Sequence, residues 1–268
     1  MKQIEIGACV PGSDTKTWLA PLVEAGFECV ALNFHMSLGG TDLHALAEQV
    51  MPYLREKGVR VATIGYYCNP IENTEQRKTL ESVIDAAPLF GAPMVSTFAG
   101  AYEGEPVEKA IPKFGEVFRE LGKRAADNGL KIAIENCPMD GTWQRATCNI
   151  AFHPKAWEMM FEAVPEQNVG LEWEPGHQSI QLIDPVSQLR EWIGTGRILH
   201  MHGKDCTTDW TLCAGTAFWE PCRLPSSAHP ASVTPTGARF SPFSAREAMN
   251  PTSASRDSTI PCTAENWK

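Results

Sequence analysis

Three stretches decide the fold: LKIAIEN at 130–136, NVGLEW at 168–173 and GRILHMHGK at 196–204. Each is short and largely apolar, and acidic or imidazole side chains gather toward its end. A strand with one wet face would alternate apolar and polar residues. A near-continuous apolar run is what a parallel strand covered on both faces requires. The same pattern recurs upstream at QIEIGAC (3–9), FECVALNF (27–34), GVRVATIGY (58–66) and APMVSTF (92–98). Between the runs lie helix-like stretches at about 14–25, 41–57, 73–90, 106–128, 153–163 and 184–193, each of the length a crossover between parallel strands needs. Ser13-Asp14, Thr41-Asp42 and Asp184-Pro185 are helix-start signals. Gly26, Gly58, Gly91 and Gly129 stand where helices end.

Seven such strands, with no GxGxxG after the first, predict an α/β fold of the (β/α)8 TIM-barrel type rather than a dinucleotide-binding sheet. No eighth strand is found, so the barrel is expected to be incomplete there. The expected organisation is a barrel over 1–210 and an irregular tail over 211–268. In the tail 31 of 58 residues are Pro, Ser, Ala or Thr and only nine are Ile, Leu, Val, Phe, Tyr or Trp, which supports neither helix nor strand. The tail reads as disordered or as out of frame. With suitable codons, a frame one base earlier turns residues 228–239 into TPGFGDTDWGA and residues 250–268 into ESDISIEGFHDPVYRGELE, with ILPILCARGY between them. Joined, these make a loop, a helix and a strand ending in a carboxylate, so a frame change near 211–213 is expected.

The rest of the composition is that of a soluble globule, with 43% apolar and 21% charged residues. A net charge of -9 and no basic stripe argue against a phosphate-tracking nucleic-acid binder. No apolar run reaches the ~18 residues of a membrane span. The N-terminus becomes polar too quickly for a signal peptide, so the nine cysteines are expected to be thiols in a cytoplasmic protein. A homo-oligomer is compatible with all of this.

In a barrel of this kind, reactive groups sit at the C-terminal ends of the strands. Those ends carry His35, Tyr66, Tyr67 and Asn69, Glu135-Asn136, Glu172-Trp173-Glu174 with His177, and His200, His202, Lys204 and Asp205. Glu135 closes an apolar strand, so its carboxylate requires hydrogen bonds, an ion pair or a metal. Glu172 and Glu174 share one face of their strand, and Glu174 is the nearer to the mouth. His200 and His202 share a face in the same way. Imidazole and carboxylate ligands with open positions suit a divalent ion, Mn, Co, Mg or Zn, acting as a Lewis acid. HExxH, paired CxxC and GxSxG are all absent, which argues against zincin, structural-zinc and serine-hydrolase readings.

KIAIENCP, VGLEWEPGH and ILHMHGKD, in this order and spacing, resemble the fifth, sixth and seventh strand motifs of xylose-isomerase-like barrels. That superfamily includes sugar and sugar-phosphate isomerases and epimerases as well as apurinic endonucleases. The resemblance covers about residues 1–210. It implies metal ligands at Glu135, Glu174 and His202, with Glu174 standing where the family often has the shorter Asp. It implies contact of His177 with substrate oxygens and of Lys204 with a phosphate or hydroxyl. The implied reaction is isomerisation or epimerisation of a small sugar, with Glu135 as base and His177 beside it. His35, Tyr66, Asn136 and Trp143 fall in the substrate shell by position. The family completes its site with a Glu at the end of strand eight, which this chain carries only in the shifted frame. Two rivals follow, an apurinic-endonuclease-like hydrolase and a catalytically dead product lacking the fourth ligand.

Overall fold

The computed structural model describes residues 5–204, 206–208, 238–240 and 262–263. Seven parallel strands run in chain order: β1 (Gly7–Pro11), β2 (Cys29–His35), β3 (Arg60–Tyr67), β4 (Met94–Thr97), β5 (Lys131–Glu135), β6 (Val169–Trp173) and β7 (Ile198–Met201). The helices between them are α1 (Thr15–Glu24), α2 (Leu43–Lys57), α3 (Thr74–Ala86), α4 (Val107–Asp127), α5 (Pro154–Ala163), α6 (Pro175–Ser179) and α7 (Pro185–Trp192). The result is a curled, incomplete TIM barrel, as its strand pattern predicts. Three short strands follow: β8 (Cys206–Thr208), β9 (Ala238–Phe240) and β10 (Cys262–Thr263). β8 pairs with β9, and β10 lies antiparallel beside β1 through Gly7↔Thr263 and Ala8↔Cys262. The first strand therefore does not present the wholly bare edge that an open barrel implies. The rest of the 211–268 tail, and with it the proposed frame change, lies outside the described residues.

Local chemistry explains most of the boundaries. Asp42 accepts the backbone N–H groups of His44 and Ala45 (2.8 and 3.2 Å), and Asp184 accepts that of Val186 at 3.0 Å. Each supplies an acceptor to first-turn donors that have no helical partner. Asp14 behaves differently: a 3-10 turn precedes α1, and its carboxylate accepts from the side chains of Thr17 and Trp18 instead. Gly58 ends α2 at φ +70°, a left-handed conformation that favours glycine. On α4, Val107, Ala110, Phe114, Val117, Phe118, Leu121 and Ala125 are buried. Their three- and four-residue spacing makes one apolar stripe that covers the sheet.

The strand register sets the interior. Asn33, Gly65, Ser96, Ala133 and Gly170 are matched across successive strands. Two residues further on, His35 pairs with Tyr67 and Glu135 with Glu172. Between β6 and β7 the register slips: Leu171 pairs with Ile198, but Glu172 pairs with His200 and Trp173 with Met201. This bulge passes over Leu199 and sets His200 level with Glu172, and so carries His202, just past β7, toward Glu174, just past β6, the re-aiming that bulges characteristically produce.

Candidate active site at the strand ends

Glu135, Glu172, Glu174, His177, His200 and His202 are all buried. Nδ1 of His202 lies 3.2 Å from Glu135 Oε1 and 3.2 Å from Glu174 Oε2, and its Nε2 lies 3.2 Å from Glu172 Oε1. Glu174 Oε1 is 2.8 Å from His177 Nε2 and 2.7 Å from Lys204 Nζ. Glu172 accepts the Tyr67 hydroxyl at 2.8 Å and the Ser96 hydroxyl at 2.7 Å. His35 stacks on Tyr67 with ring centroids 5.0 Å apart, and Phe98 packs against both rings. Three carboxylates thus converge around one imidazole, with a lysine on the rim.

Each anchor has a local cause. Pro175 opens α6 directly after Glu174, so the EPGH segment is one helical turn rather than a loop. That turn sets His177 three residues from Glu174 on the same side. Asn136, fully buried, accepts the Glu174 backbone N–H at 2.7 Å and donates to the Glu174 carbonyl at 3.0 Å. Asn149 donates to the Glu135 carbonyl at 2.9 Å. These bonds fix the two strand ends that carry the acidic side chains.

The electrostatics follow from burial and proximity. Burial alone would push the Glu174 carboxyl up, but His177 and Lys204 beside it hold it well below the usual range. The same contest keeps Glu172 lowered, with His202 and His200 opposing its desolvation. His202 is desolvated, yet the Glu172 carboxylate raises it well above an ordinary imidazole. Lys204 is likewise raised, by Glu174 and Glu135 acting against its burial. Burial dominates at His200 and lowers it to about 4.

Of the residues the sequence singles out, Glu135, Glu174, His177, His202 and Lys204 are brought together, and His35 caps the same mouth. Tyr66 is not there. It is one residue out of phase, buried on the opposite side of β3, where its hydroxyl donates to the Met36 carbonyl at 3.2 Å. Tyr67 is the inward tyrosine. Asn136 meets the backbone of Glu174 rather than open space, which replaces a substrate-shell position with a structural one. Trp143 lies apart, bonded to Glu108 and packed against Lys155 and His153. The sequence placed Tyr67 at the end of its strand but gave the substrate-shell role to Tyr66, and it offered no sign of Ser96 or Cys137. Alternation along β3 was the available signal for Tyr67 once Glu172 was known to face inward. Cys137 forms a buried or half-buried donor group with Glu135 and His177.

Glu135, Glu174 and His202 each offer one donor atom, all within 4.8 Å of one another. Donors held about 2.0–2.2 Å from one ion stand about 3–4.4 Å apart, so this spacing fits a shared divalent cation. The chemistry fits as well, since a buried excess of carboxylate calls for compensating positive charge. No helix among the described residues is long and apolar enough to cross a membrane.

Parallel strands, covering helices and a buried acid–imidazole cluster at the C-terminal rim define a TIM-barrel architecture with candidate metal-ligand groups at its mouth. The chain belongs to the xylose isomerase-like TIM barrel family, whose profile matches residues 19–216. No curated protein sequence matches it. Among solved structures, it is similar to a probable 3-DHS dehydratase, AsbF, from Bacillus anthracis, with a TM-score of 0.60 and 15% identity over 82% of this chain and 80% of that one. It is also similar to an L-ribulose 3-epimerase, with a TM-score of 0.57 and 16% identity over 73% and 68% of the two chains. An AP endonuclease of family 2 from Brucella melitensis gives a TM-score of 0.56 and 17% identity over 74% and 78%. At these identities the likeness is one of fold.

Proposed function

We propose that the chain isomerises or epimerises a sugar or sugar phosphate with a divalent cation, Mn, Co, Mg or Zn, held by Glu135, Glu174 and His202. The observation that carries this is the convergence of three buried donors from three adjacent strands within 4.8 Å. When bound, the cation supplies Lewis-acid polarisation of the substrate carbonyl. Glu135 removes the proton from the neighbouring carbon and returns it to another carbon or face. His177 and Lys204, both on Glu174 Oε1, orient substrate oxygens, and the Lys204 ammonium suits a hydroxyl or phosphate. His35, stacked on Tyr67, walls one side of the mouth and excludes water from the reacting carbon.

The test is exchange of substrate C–H for deuterium in D2O, followed by NMR across a ketose panel with Mn2+. Exchange that needs the metal and is abolished by Glu135→Gln supports the reading. Full exchange in that variant removes Glu135 as base and ligand. An apurinic endonuclease is disfavoured by the net charge of -9, and salt-sensitive binding to abasic DNA would reverse that judgement.

A second reading has its own support: this polypeptide turns over weakly or not at all. Among the described residues seven strands are parallel, and the strand beside β1 runs antiparallel. An acidic eighth-strand ligand has no counterpart there. The family match ends at residue 216, close to the change in composition. Sequencing the encoding DNA, then comparing this chain with a frame-restored form, separates the two readings. Equal activity of both forms rejects the second.

A further inference from the structure

Below the rim set lies a donor group that the proposed reaction does not use. Glu172, His200 and His202 each present a ligand atom within 4.8 Å of the others, and all three are buried. The Nε2 atoms of His200 and His202 are sealed from solvent and form no hydrogen bond. Both face the same atom, Glu172 Oε1, at 3.7 and 3.2 Å. Buried polar nitrogens are nearly always satisfied in folded proteins, and two that converge on one carboxylate oxygen without a hydrogen bond mark a place for a cation. The carboxylate is already oriented by the Tyr67 and Ser96 hydroxyls, the outer support that metal-ligating groups characteristically have.

We propose that Glu172, His200 and His202 form a second cation position, deeper in the barrel, that takes an imidazole-preferring ion of the Zn2+ type. Its donors are two nitrogens and one oxygen, whereas the rim offers one nitrogen and two oxygens. Imidazole-rich sets suit Zn, Cu and Ni, and oxygen-rich sets suit Mg and Mn. His202 belongs to both positions, with Nδ1 toward Glu135 and Glu174 and Nε2 toward Glu172. A neutral imidazole has one acceptor nitrogen, so His202 serves one position at a time. Zn2+ in the deep position therefore excludes Mn2+ from the rim. This antagonism rests on the proposed function of the rim, while the deep position itself does not.

The experiment titrates metal-free full-length protein with ZnCl2 and with MnCl2 separately by calorimetry. His200→Asn is expected to weaken Zn2+ binding by about tenfold or more while leaving Mn2+ within about threefold, whereas Glu172→Gln, which also removes the carboxylate behind His202 Nε2, is expected to weaken both. Glu174→Gln is expected to do the reverse of His200→Asn. Unchanged Zn2+ affinity in both deep variants overturns the proposal. Should those variants fail to fold, 15N imidazole NMR of the unaltered protein decides: Zn2+ must shift His200 Nε2, and a response confined to His202 Nδ1 overturns the deep site. Loss of the Mn2+ arm with the Zn2+ arm intact counts against the rim reading alone.

Discussion

Asn136 holds Glu174 by both of that residue's backbone polar groups, accepting its N–H at 2.7 Å and donating to its C=O at 3.0 Å. A side-chain amide has the donor and acceptor pattern of a peptide group, so Asn136 continues the β5–β6 ladder past the last regular pair. This fixes Glu174 at the point where the chain turns into α6. Asn136→Ala leaves two buried backbone groups unmatched, at about 1–3 kcal/mol each. The expected outcome is a lowered denaturation midpoint together with weaker Mn2+ binding, measured by urea unfolding and calorimetry.

Tyr67→Phe removes a hydroxyl donated to a fully buried carboxylate. Hydrogen bonds to charged groups are worth about 1.5–3 kcal/mol, and Ser96 remains as the second donor to Glu172. A loss of that size in urea unfolding is expected, whereas Tyr66→Phe, whose hydroxyl donates to an uncharged carbonyl, should cost about 1 kcal/mol. Equal effects would mean that the inward position of Tyr67 carries no weight.

Arg124 on α4 grips Asp85 on α3, with Nε 2.8 Å from Oδ1 and Nη2 2.5 Å from Oδ2. The guanidinium lowers the Asp85 carboxyl below its ordinary value. A depressed folded-state carboxyl contributes stability above the unfolded value, near 3.9, and that contribution disappears as pH falls through the folded one. Both side chains are more than two-fifths exposed, so solvent limits the effect to less than about 1 kcal/mol. Asp85→Asn is therefore expected to be slightly less stable than wild type at pH 7 and equal to it in strong acid. High salt should shrink the difference.

Burial pushes the Cys68 thiol up to about 12. Thiolate is the reactive form, so Cys68 should resist iodoacetamide at pH 8 in the folded protein. Mass-spectrometric labelling of Cys68 should appear only as urea unfolds the chain, and rapid labelling without urea would contradict its placement behind β3.

The order of elements was legible because it depends on local chemistry. Apolar runs, Asp caps and terminal glycines act over a few residues, and the structure returns all seven parallel strands with their rim carboxylates and imidazoles. Strand ends in a parallel sheet all point to one mouth, which made Glu135, Glu172, Glu174, His200 and His202 candidates, and the family resemblance narrowed the ligand set to Glu135, Glu174 and His202. The sequence therefore determined which side chains stand at that mouth.

Phase and register were decided elsewhere. Tyr66 and Tyr67 are equally suited to a buried strand, and only the pairing of β3 with β2 and β4 turns Tyr67 inward. Glu172 and Glu174 both face the interior, in successive layers. Their meeting with His200 and His202 depends on the slip that passes over Leu199. A one-residue change of pairing costs little locally but moves every side chain of the strand relative to its neighbours. The packed sheet, not the strand, therefore selects the contacts from which a cation site is built.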